Sequence, residues 1–455
     1  MLSRRAFLSG LGAGAAGLAV TACSKGGGSA TPGSSSSASV STTTTTVLRA
    51  AGDRPDPSKP EGTDTLPQIE HIVVLMMENH SYDNYLGMLG RGDGFTLGPD
   101  GKPTNSNPDA NGQPLRAFHM ANTCQLPRQP SQAWGASHKQ FADGALTGFV
   151  QSDSGPVSMG YFNGDDIPFY YALANTFPVC DRWFASCLAQ TYPNRRFLLA
   201  GTALGTINND LKFVVNAPQP PAGTIMEQLN KHSISWRDYY TSLPTVGLYL
   251  PVFAANSDKI VKIDQYFTDA ASGNLPAFSL VEPDFDKNSE ENSDDITLGE
   301  SFASKVIHAA MNGPGWNKTL LVWCYDEHGG YYDHVAPPVA VAPDNIAPML
   351  NPGDPPGDYA RYGFRVPAAI VSPFAKRDYV SHVVHDHTSI LKLVERKFNL
   401  PGLTARDANA DDLLDSLDLD HDPAFLTPPS LPAPHNPDGV TPLCTAAGPV
   451  PNPQG

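Results

Sequence analysis

The sequence predicts an α/β domain with a mainly parallel central sheet, flanked by helices and joined by many loops. Short apolar runs alternate with helix-like stretches, which is the order of elements that βαβ units produce. Pro (43 residues) and Gly (40 residues) are plentiful in a chain of 455 residues. Loops should therefore be numerous around a modest number of regular elements.

Two runs, His71–Met77 and Thr319–Tyr325, are continuously apolar, as expected of strands that are buried on both faces. Ala277–Val281 and Pro367–Ser372 look similar, and Ser233–Tyr239 is a weaker strand candidate. The stretches between these strands predict three helices, at Thr224–Lys231, Gly299–Met311 and Thr388–Lys397. Ligands of such sheets bind at the carboxyl ends of the strands, so functional residues are expected there.

The two ends of the chain differ in composition from the centre. Residues 1–23 contain Arg4-Arg5 before a short apolar run, which resembles a Tat export signal, and end in a lipobox-like sequence at Cys23. Residues 24–66 are rich in Ser, Thr and Gly and predict a disordered tether. A folded domain is predicted at residues 67–423, before a Pro-rich tail at 424–455 that either wraps the surface or is disordered.

These end segments predict an exported protein, either a cell-envelope lipoprotein or a secreted one. In the first case lipidated Cys23 makes the membrane contact; the alternative is an ordinary signal peptide with a chance cysteine. The formal net charge of -16 argues against a nucleic-acid partner, because phosphate backbones need a basic surface. An anionic substrate must therefore be held locally, by metal ions or backbone N–H groups.

Two of the predicted strands end in residues that can bind metal. Glu78-Asn79-His80 follows the first apolar run, and Asp326-Glu327-His328 follows the second. A buried carboxylate costs several kcal/mol unless it is paired or bound to a metal, so both strand ends are expected to converge on one cation. The alternative for each alone is a helix N-cap or a surface turn. Oxygen ligands favour Mg, Ca or Mn, with Zn and Fe also open.

A third segment, Gln190–Leu198, places a hydroxyl at a helix start. Pro193 suits the first helical turn, which puts Thr191 at or just before the helix N-terminus, where an anion is favoured. A hydroxyl that contacts a divalent metal can attack phosphorus at neutral pH. The alternative is that Thr191 is only an N-cap.

The segment Ile69–Gly87 resembles the opening motif of the bacterial phosphoesterase family, which contains non-haemolytic phospholipases C and related acid phosphatases. The similarity covers roughly residues 69 to 405 and implies an alkaline-phosphatase-like α/β core, with residues 67–423 as the catalytic domain. Further blocks match in order at residues 181–186, 191–195, 201–202, 316–319, 326–335, 365–367 and 386–389.

This resemblance implies a site for one divalent metal ion and a covalent mechanism. The family's metal ligands fall on Glu78, Asn79, Asp326 and Glu327, and its nucleophile falls on Thr191, which would also contact the metal. Thr191 would attack phosphorus, release an alcohol and form a phosphothreonine that water then hydrolyses. Charge stabilisation by the metal would be the largest contribution to catalysis.

Other site residues are expected from the matched blocks. His387 and His328 are the catalytic histidine candidates, although His328 is alternatively a residue that orients Glu327. Asn194 is a candidate for substrate binding. Asp333 and His334 are interpreted as structural residues at a turn.

The sequence departs from the family pattern in two places. Many members have a histidine where this chain has Gln132, before Trp134, and a Glu-His-Pro-Pro stretch where it has Glu290–Ser293. Gln132, Glu291 and Asn292 are candidates to line the same pocket. His138 is a further substrate-binding candidate, with a purely structural role as its alternative.

The acidic stretch Ala405–Asp422 lacks the ligand spacing of an EF-hand loop, and it is interpreted as a solvated acidic face. The function predicted first is phospholipase C-type hydrolysis of a phosphodiester, with a small molecule or a phospholipid as substrate. The alternatives are an acid phosphatase that acts on monoesters and an inactive ligand-binding lipoprotein, which the missing histidines motivate.

Overall fold

A computed structural model describes residues 48–125, 130–215 and 218–443 of the chain. The strands within these ranges are β1 (His71–Met77), β2 (Ser106–Pro108), β3 (Pro114–Arg116), β4 (Phe118–His119), β5 (Gly160–Tyr161), β6 (Val179–Cys180), β7 (Trp236–Tyr240), β8 (Ile260–Lys262), β9 (Phe278–Val281), β10 (Thr319–Tyr325), β11 (Ala368–Val371) and β12 (Val380–Ser381). The helices are α1 (Tyr82–Leu86), α2 (Trp134–Phe141), α3 (Pro168–Thr176), α4 (Thr191–Ala200), α5 (Leu211–Val215), α6 (Ile225–Lys231), α7 (Leu250–Ala255), α8 (Ile263–Ser272), α9 (Ile296–Asn312), α10 (His387–Phe398) and α11 (Ala405–Ala408).

The core is a mixed eight-stranded sheet with the order β12-β6-β11-β10-β1-β9-β7-β8. Strand β1 lies between β10 and β9 and is parallel to both. The pairs β7/β9, β7/β8 and β6/β12 are also parallel, whereas β11 is antiparallel to β10 and to β6. The predicted α/β fold with a mainly parallel sheet is therefore confirmed.

The predicted elements agree closely with the observed ones. Strands β1 and β10 have the predicted bounds, and every residue of β10 is buried. Strands β7, β9 and β11 and helices α6, α9 and α10 lie within a few residues of their predicted positions. Continuous apolar runs identified the central strands because both faces of the sheet are covered.

The predicted boundaries at the two ends need correction. Residues 49–66 are not a free tether, because the Gly52 N–H donates to the Gly402 carbonyl at 2.8 Å and the Thr65 N–H to the Lys397 carbonyl at 2.6 Å. The tail wraps the domain up to residue 443; for example, the Trp316 indole donates to the Phe425 carbonyl at 2.9 Å. The signal segment, with Cys23, and residues 444–455 lie outside the described residues.

No helix in the described part of the chain is both long enough and apolar enough to cross a membrane.

Candidate active site

The carboxyl ends of three neighbouring strands form the base of the candidate site. Met77 at the end of β1 is in register with Tyr325 at the end of β10, so Glu78 and Asp326 follow at adjacent positions. On the other side of β1, Leu75 pairs with Val281 at the end of β9, and Glu282 follows. Parallel pairing thus brings three carboxylates to one edge of the sheet, as the strand-end rule predicts.

The turn after β10 is tied to the end of β1. Asp326 Oδ1 accepts hydrogen bonds from the N–H groups of Asn79 at 3.2 Å and Glu327 at 2.7 Å. Asn79 has a φ of 72°, in the left-handed region that asparagine tolerates better than most residues. A Cβ on Gly329 would lie 1.9 Å from the Asn79 carbonyl oxygen, so only glycine allows the two segments to approach so closely.

Arg195 joins α4 to all three strand ends. Its guanidinium lies 3.1 Å from Asp326 Oδ2 and 2.8 Å from Glu282 Oε2, and it donates to the Met76 and Met77 carbonyls at 3.4 Å. Arg195 therefore pairs with two buried carboxylates. Thr191 begins α4 one turn before Arg195, so this contact holds the helix start at the strand ends.

The start of α4 is organised by Asn194 rather than by Thr191. The Asn194 amide donates to the carbonyls of Ala189 at 2.9 Å and Gln190 at 3.0 Å, and its Oδ1 accepts from the Cys187 N–H at 3.0 Å. The Asn194 side chain therefore hydrogen bonds to backbone groups of its own chain segment. Its role in substrate binding stays a prediction. Gln190 is the N-cap residue, and the helix has no side-chain cap, so Thr191 is not acting as one.

Several side-chain atoms at this edge are buried and have no hydrogen-bond partner among the described residues. They are both amide atoms of Asn79, the Thr191 hydroxyl, Glu327 Oε1 and His387 Nδ1. Leaving such groups unsatisfied costs about 1–3 kcal/mol each, so the presence of several of them favours a bound ligand. Oxygen atoms from carboxylate, amide and hydroxyl groups suit a divalent cation, and the residues present fit the predicted metal.

The electrostatics of the cluster lead to the same conclusion. Burial raises the pKa of Glu327, and the neighbouring charges of Asp326, Glu78 and Glu291 raise it further. These four carboxylates therefore lie within electrostatic reach of one another. Without a compensating cation at least one of them would hold a proton.

The two predicted catalytic histidines both contact the strand-end turn. His387 Nε2 donates to the Asp326 carbonyl at 2.7 Å, which leaves its Nδ1 lone pair free to accept a proton. His328 Nδ1 lies 3.3 Å from Glu327 Oε2, and its Nε2 contacts Gln140 Oε1 at 2.8 Å. Burial lowers the pKa of His328 to about 3, so this histidine is neutral. Because its Nε2 proton is directed at Gln140 Oε1, both the catalytic role of His328 and the alternative of orienting Glu327 stay predictions.

The segments that depart from the family pattern lie beside the site. The Glu78 N–H donates to the Ser289 carbonyl at 3.0 Å, which places the loop with Glu291 against the end of β1. The loop before α2, with buried Gln132, lies close to Gly330 in the turn after β10. The sequence placed Gln132 and Glu291 near the site, and this proximity is consistent with those predictions.

His138 lies in a different environment. Its Nδ1 hydrogen bonds to the Trp134 carbonyl at 2.8 Å, its ring packs at a tilt against Trp134, and Nε2 faces Gly357. None of these contacts joins it to the strand ends, so they favour its structural alternative. The predicted role in substrate binding stays a prediction.

A second acidic group near the site is an ion network. Arg365 lies 3.0 Å from Asp83 Oδ1 and 2.9 Å from Asp333 Oδ1, and His334 Nδ1 lies 2.7 Å from Asp83 Oδ2. Burial lowers the pKa of His334, but Asp83 and Asp333 outweigh this effect and raise it to about 9. Their charges are balanced within the protein, which favours the structural interpretation of Asp333 and His334.

Glu282 is the site residue that the sequence reasoning missed. It follows the apolar run of β9 as Glu78 follows β1 and Asp326 follows β10. The same strand-end rule would have found it, had it been applied to the shorter run.

Comparison with known proteins identifies relatives over most of the chain. Residues 69–401 match the model of the Phosphoesterase family. The chain is 30% identical over 388 residues to non-specific phospholipase C3 of Arabidopsis thaliana, covering 76% of this chain and 73% of that protein. It is 29% identical over 422 residues to phospholipase C A of Mycobacterium tuberculosis, covering 80% and 79%. A solved alkaline phosphatase superfamily protein from Vibrio parahaemolyticus aligns with a TM-score of 0.40 and 11% identity, over 82% and 73% of the chains.

Proposed function

The chain belongs to the Phosphoesterase family and is a phosphoric-ester hydrolase, and on this premise we propose that it is a metal-dependent phospholipase C with Thr191 as its nucleophile. The substrate would be a phosphodiester, either a phospholipid or a small molecule. The relatives from both organisms are named phospholipases C, which supports a diester substrate. The observation that carries the proposal is the set of buried, unpartnered polar atoms at one edge of the sheet.

The proposed metal ligands are Glu78, Asn79, Thr191, Asp326 and Glu327. A divalent cation bound there would supply positive charge to the phosphoryl oxygens and favour the ionised form of a ligating hydroxyl. The candidate ions are Mg, Ca, Mn and Zn. Arg195 would keep Asp326 oriented, because its guanidinium is already fixed between Asp326 and Glu282.

The proposed reaction has two steps at the start of α4. Thr191 Oγ1 attacks phosphorus, the bond from phosphorus to the leaving alkoxide breaks, and the alcohol departs with one proton. Water then attacks the phosphothreonine, the bond from phosphorus to Oγ1 breaks, and Thr191 is restored. His387 Nδ1 is the proposed proton acceptor in the site, since its lone pair is buried there without a hydrogen-bond partner in the described chain.

The charges around the site favour a diester over a monoester. Glu291 stands where many family members have a histidine, and it lies within electrostatic reach of Glu327. A phosphodiester carries one negative charge, whereas a phosphomonoester carries close to two at neutral pH. The additional carboxylate should therefore penalise the monoester more strongly, which makes acid phosphatase activity the second candidate.

We also propose that the protein is exported through the Tat pathway and anchored by lipidation of Cys23. The Arg4-Arg5 pair and the lipobox-like ending at Cys23 support this proposal. Metabolic labelling with a palmitate analogue should label the wild type and not Cys23→Ser. Equal labelling of both proteins would contradict lipidation at this residue.

The enzymatic proposal is tested by hydrolysis of p-nitrophenyl phosphorylcholine beside p-nitrophenyl phosphate, with and without a chelator. We expect chelator-sensitive activity that is higher on the diester. Thr191→Ala should lose at least about 10³-fold in kcat, on the scale seen for removal of a nucleophile. Thr191→Ser keeps a hydroxyl and should retain measurable activity, whereas Thr206→Ala, a matched control in a nearby loop, should behave as wild type.

Wild-type activity in the Thr191→Ala variant would exclude Thr191 as the nucleophile. Activity on neither ester, in a protein that is folded and metal-loaded, would favour the inactive lipoprotein instead.

A further inference from the structure

A second cluster of potential ligands lies where the acidic stretch packs on the segment before α10. His385 Nδ1 is 3.5 Å from Asp411 Oδ1, and His385 Nε2 is 3.6 Å from Asp415 Oδ1. One potential ligand atom from each of the three residues lies within 4.8 Å of the others. The His385 side chain is fully buried, whereas the Asp411 and Asp415 side chains are 35% and 18% exposed, so this part of the acidic stretch is only partly solvated.

The hydrogen bonds around Asp415 determine which ring nitrogen of His385 carries the proton. Ser381 Oγ donates to Asp415 Oδ2 at 2.5 Å, and the Tyr379 hydroxyl donates to the same oxygen at 3.1 Å. With its proton committed, Ser381 Oγ can only accept from His385 Nε2, which lies 3.0 Å away. The proton is therefore on Nε2, and Nδ1 presents a lone pair toward Asp411.

In this arrangement two hydrogen-bond acceptors, His385 Nδ1 and the Asp411 carboxylate, face each other. His385 Nδ1 and Asp415 Oδ1 are buried and have no hydrogen-bond partner in the part of the chain described. The Nδ1 lone pair and the facing carboxylate oxygens are all electron-rich, so a cation bound between them would make the contact favourable.

Nearby basic side chains are directed elsewhere. Lys376 Nζ donates to the main-chain carbonyl of Asp415 at 2.6 Å rather than to its carboxylate. Arg396 lies 3.9 Å from the neighbouring Asp412. The contrast is with Asp83 and Asp333, whose carboxylates contact Arg365 directly.

We propose that His385, Asp411 and Asp415 form a second metal site, which binds a divalent transition-metal ion such as Zn²⁺. One imidazole nitrogen with two carboxylate oxygens is a ligand set that zinc uses, and the Ser381 and Tyr379 hydroxyls orient Asp415 as outer partners. The ion would join the acidic stretch to the start of α10. Because His387 is two residues from His385, the same ion would help to hold His387 in place.

The experiment measures zinc bound per chain by elemental analysis, after the full chain has been stripped with chelator, reloaded with Zn²⁺ and passed through a desalting column. Asp411→Asn removes one proposed ligand charge but keeps an oxygen for the Leu413 N–H that Asp411 accepts. Asp412→Asn is the matched control, because it removes the same charge one residue away. Glu327→Gln is measured in parallel, since it affects only the proposed catalytic ion.

We expect Asp411→Asn to bind one zinc fewer than Asp412→Asn, with at least about tenfold weaker binding of that ion on titration. In the Glu327→Gln background, Zn²⁺ should still raise the melting temperature, and adding Asp411→Asn should abolish that rise. His385→Gln gives a second test if Asp411→Asn folds poorly.

Equal zinc content and equal thermal response in Asp411→Asn and Asp412→Asn would overturn the proposal. A separate result would contradict the proposed catalytic metal site. In that case Glu327→Gln would bind as much zinc as the wild type and would be equally active.

Discussion

Two buried acidic groups come from neighbouring stretches of this chain, and their charges are balanced in different ways. In the ion network of Asp83, Asp333, His334 and Arg365, each carboxylate contacts a basic side chain within about 3 Å. In the strand-end cluster of Glu78, Asn79, Asp326 and Glu327, Arg195 pairs with Asp326, while Glu327 Oε1 and the Asn79 amide have no hydrogen-bond partner among the described residues.

This difference separates a structural role from a functional one. Removing a cation from the ion network would leave buried charges without compensation, so the network should contribute to the stability of the fold. The strand-end cluster holds like charges together, so it should destabilise the metal-free protein and be stabilised by a ligand. Residue types alone do not distinguish the two groups, since both combine aspartate with a neighbouring histidine. The contacts that the side chains make distinguish them.

The largest expected effect is on the ion network. Arg365→Met should lower the free energy of unfolding by about 3–5 kcal/mol, because it leaves Asp83 and Asp333 buried without their shared cation. Chemical denaturation measures this loss, which should be the same with and without chelator. Arg361→Met, a partly buried arginine that donates to the Pro337 carbonyl, is the control and should cost much less. A loss of similar size for both variants would argue against a special role for the network.

The next largest effect is expected in the strand-end cluster, where one substitution should lower activity without lowering the stability of the metal-free protein. Glu327→Gln should reduce activity at least about 100-fold, because a proposed metal ligand loses its charge. The same change should leave the metal-free protein as stable as the wild type or more stable, since it relieves repulsion from Asp326 and Glu78. Denaturation in the presence of chelator tests this point. A destabilised metal-free variant would mean that Glu327 is structural, as in the ion network.

A smaller effect is expected from pH. The pKa of His334 is raised to about 9 from an ordinary value of 6.5, so its stabilising charge is fully present below about pH 6.5. That stabilisation should disappear as the pH rises through about 9. The raised pKa of His334 corresponds to about 3 kcal/mol, and solvent screening of the partly exposed ring reduces the expected loss in the free energy of unfolding to about 2 kcal/mol. His334→Gln should be less stable at pH 6 and should lose less between pH 7 and pH 10. Parallel stability profiles for the two proteins would contradict this assignment.

The sequence predicted much of this comparison, but not all of it. Long apolar runs located β1 and β10, and the residues after them located the strand-end cluster, because a parallel sheet brings its carboxyl ends together. The contact between Arg195 and Glu282 was harder to predict. Their pairing joins a helix to a strand 87 residues further along the chain, and no local periodicity encodes that contact.

The partial burial of the acidic stretch at residues 405–422 could also not be predicted from the sequence. Its composition is that of a solvated face, yet Asp407 is fully buried and Asp411 and Asp415 face His385. Likewise, composition suggested a tether up to residue 66, whereas backbone hydrogen bonds to Lys397 and Gly402 hold its last residues against the domain. Tertiary contacts decided both cases, and composition alone does not report them.

The smallest expected effect concerns substrate charge, and it tests whether the strand-end cluster acts on substrate as well as on metal. Glu291→Gln removes a carboxylate within electrostatic reach of Glu327, so it should raise kcat/KM for p-nitrophenyl phosphate relative to p-nitrophenyl phosphorylcholine by about 3- to 10-fold. Asp286→Asn removes an exposed charge from the same loop and should leave the ratio unchanged. If both variants shift the ratio equally, the general negative field of the protein determines the preference. If only Glu291→Gln does so, the carboxylate that replaces the family histidine is what disfavours monoesters.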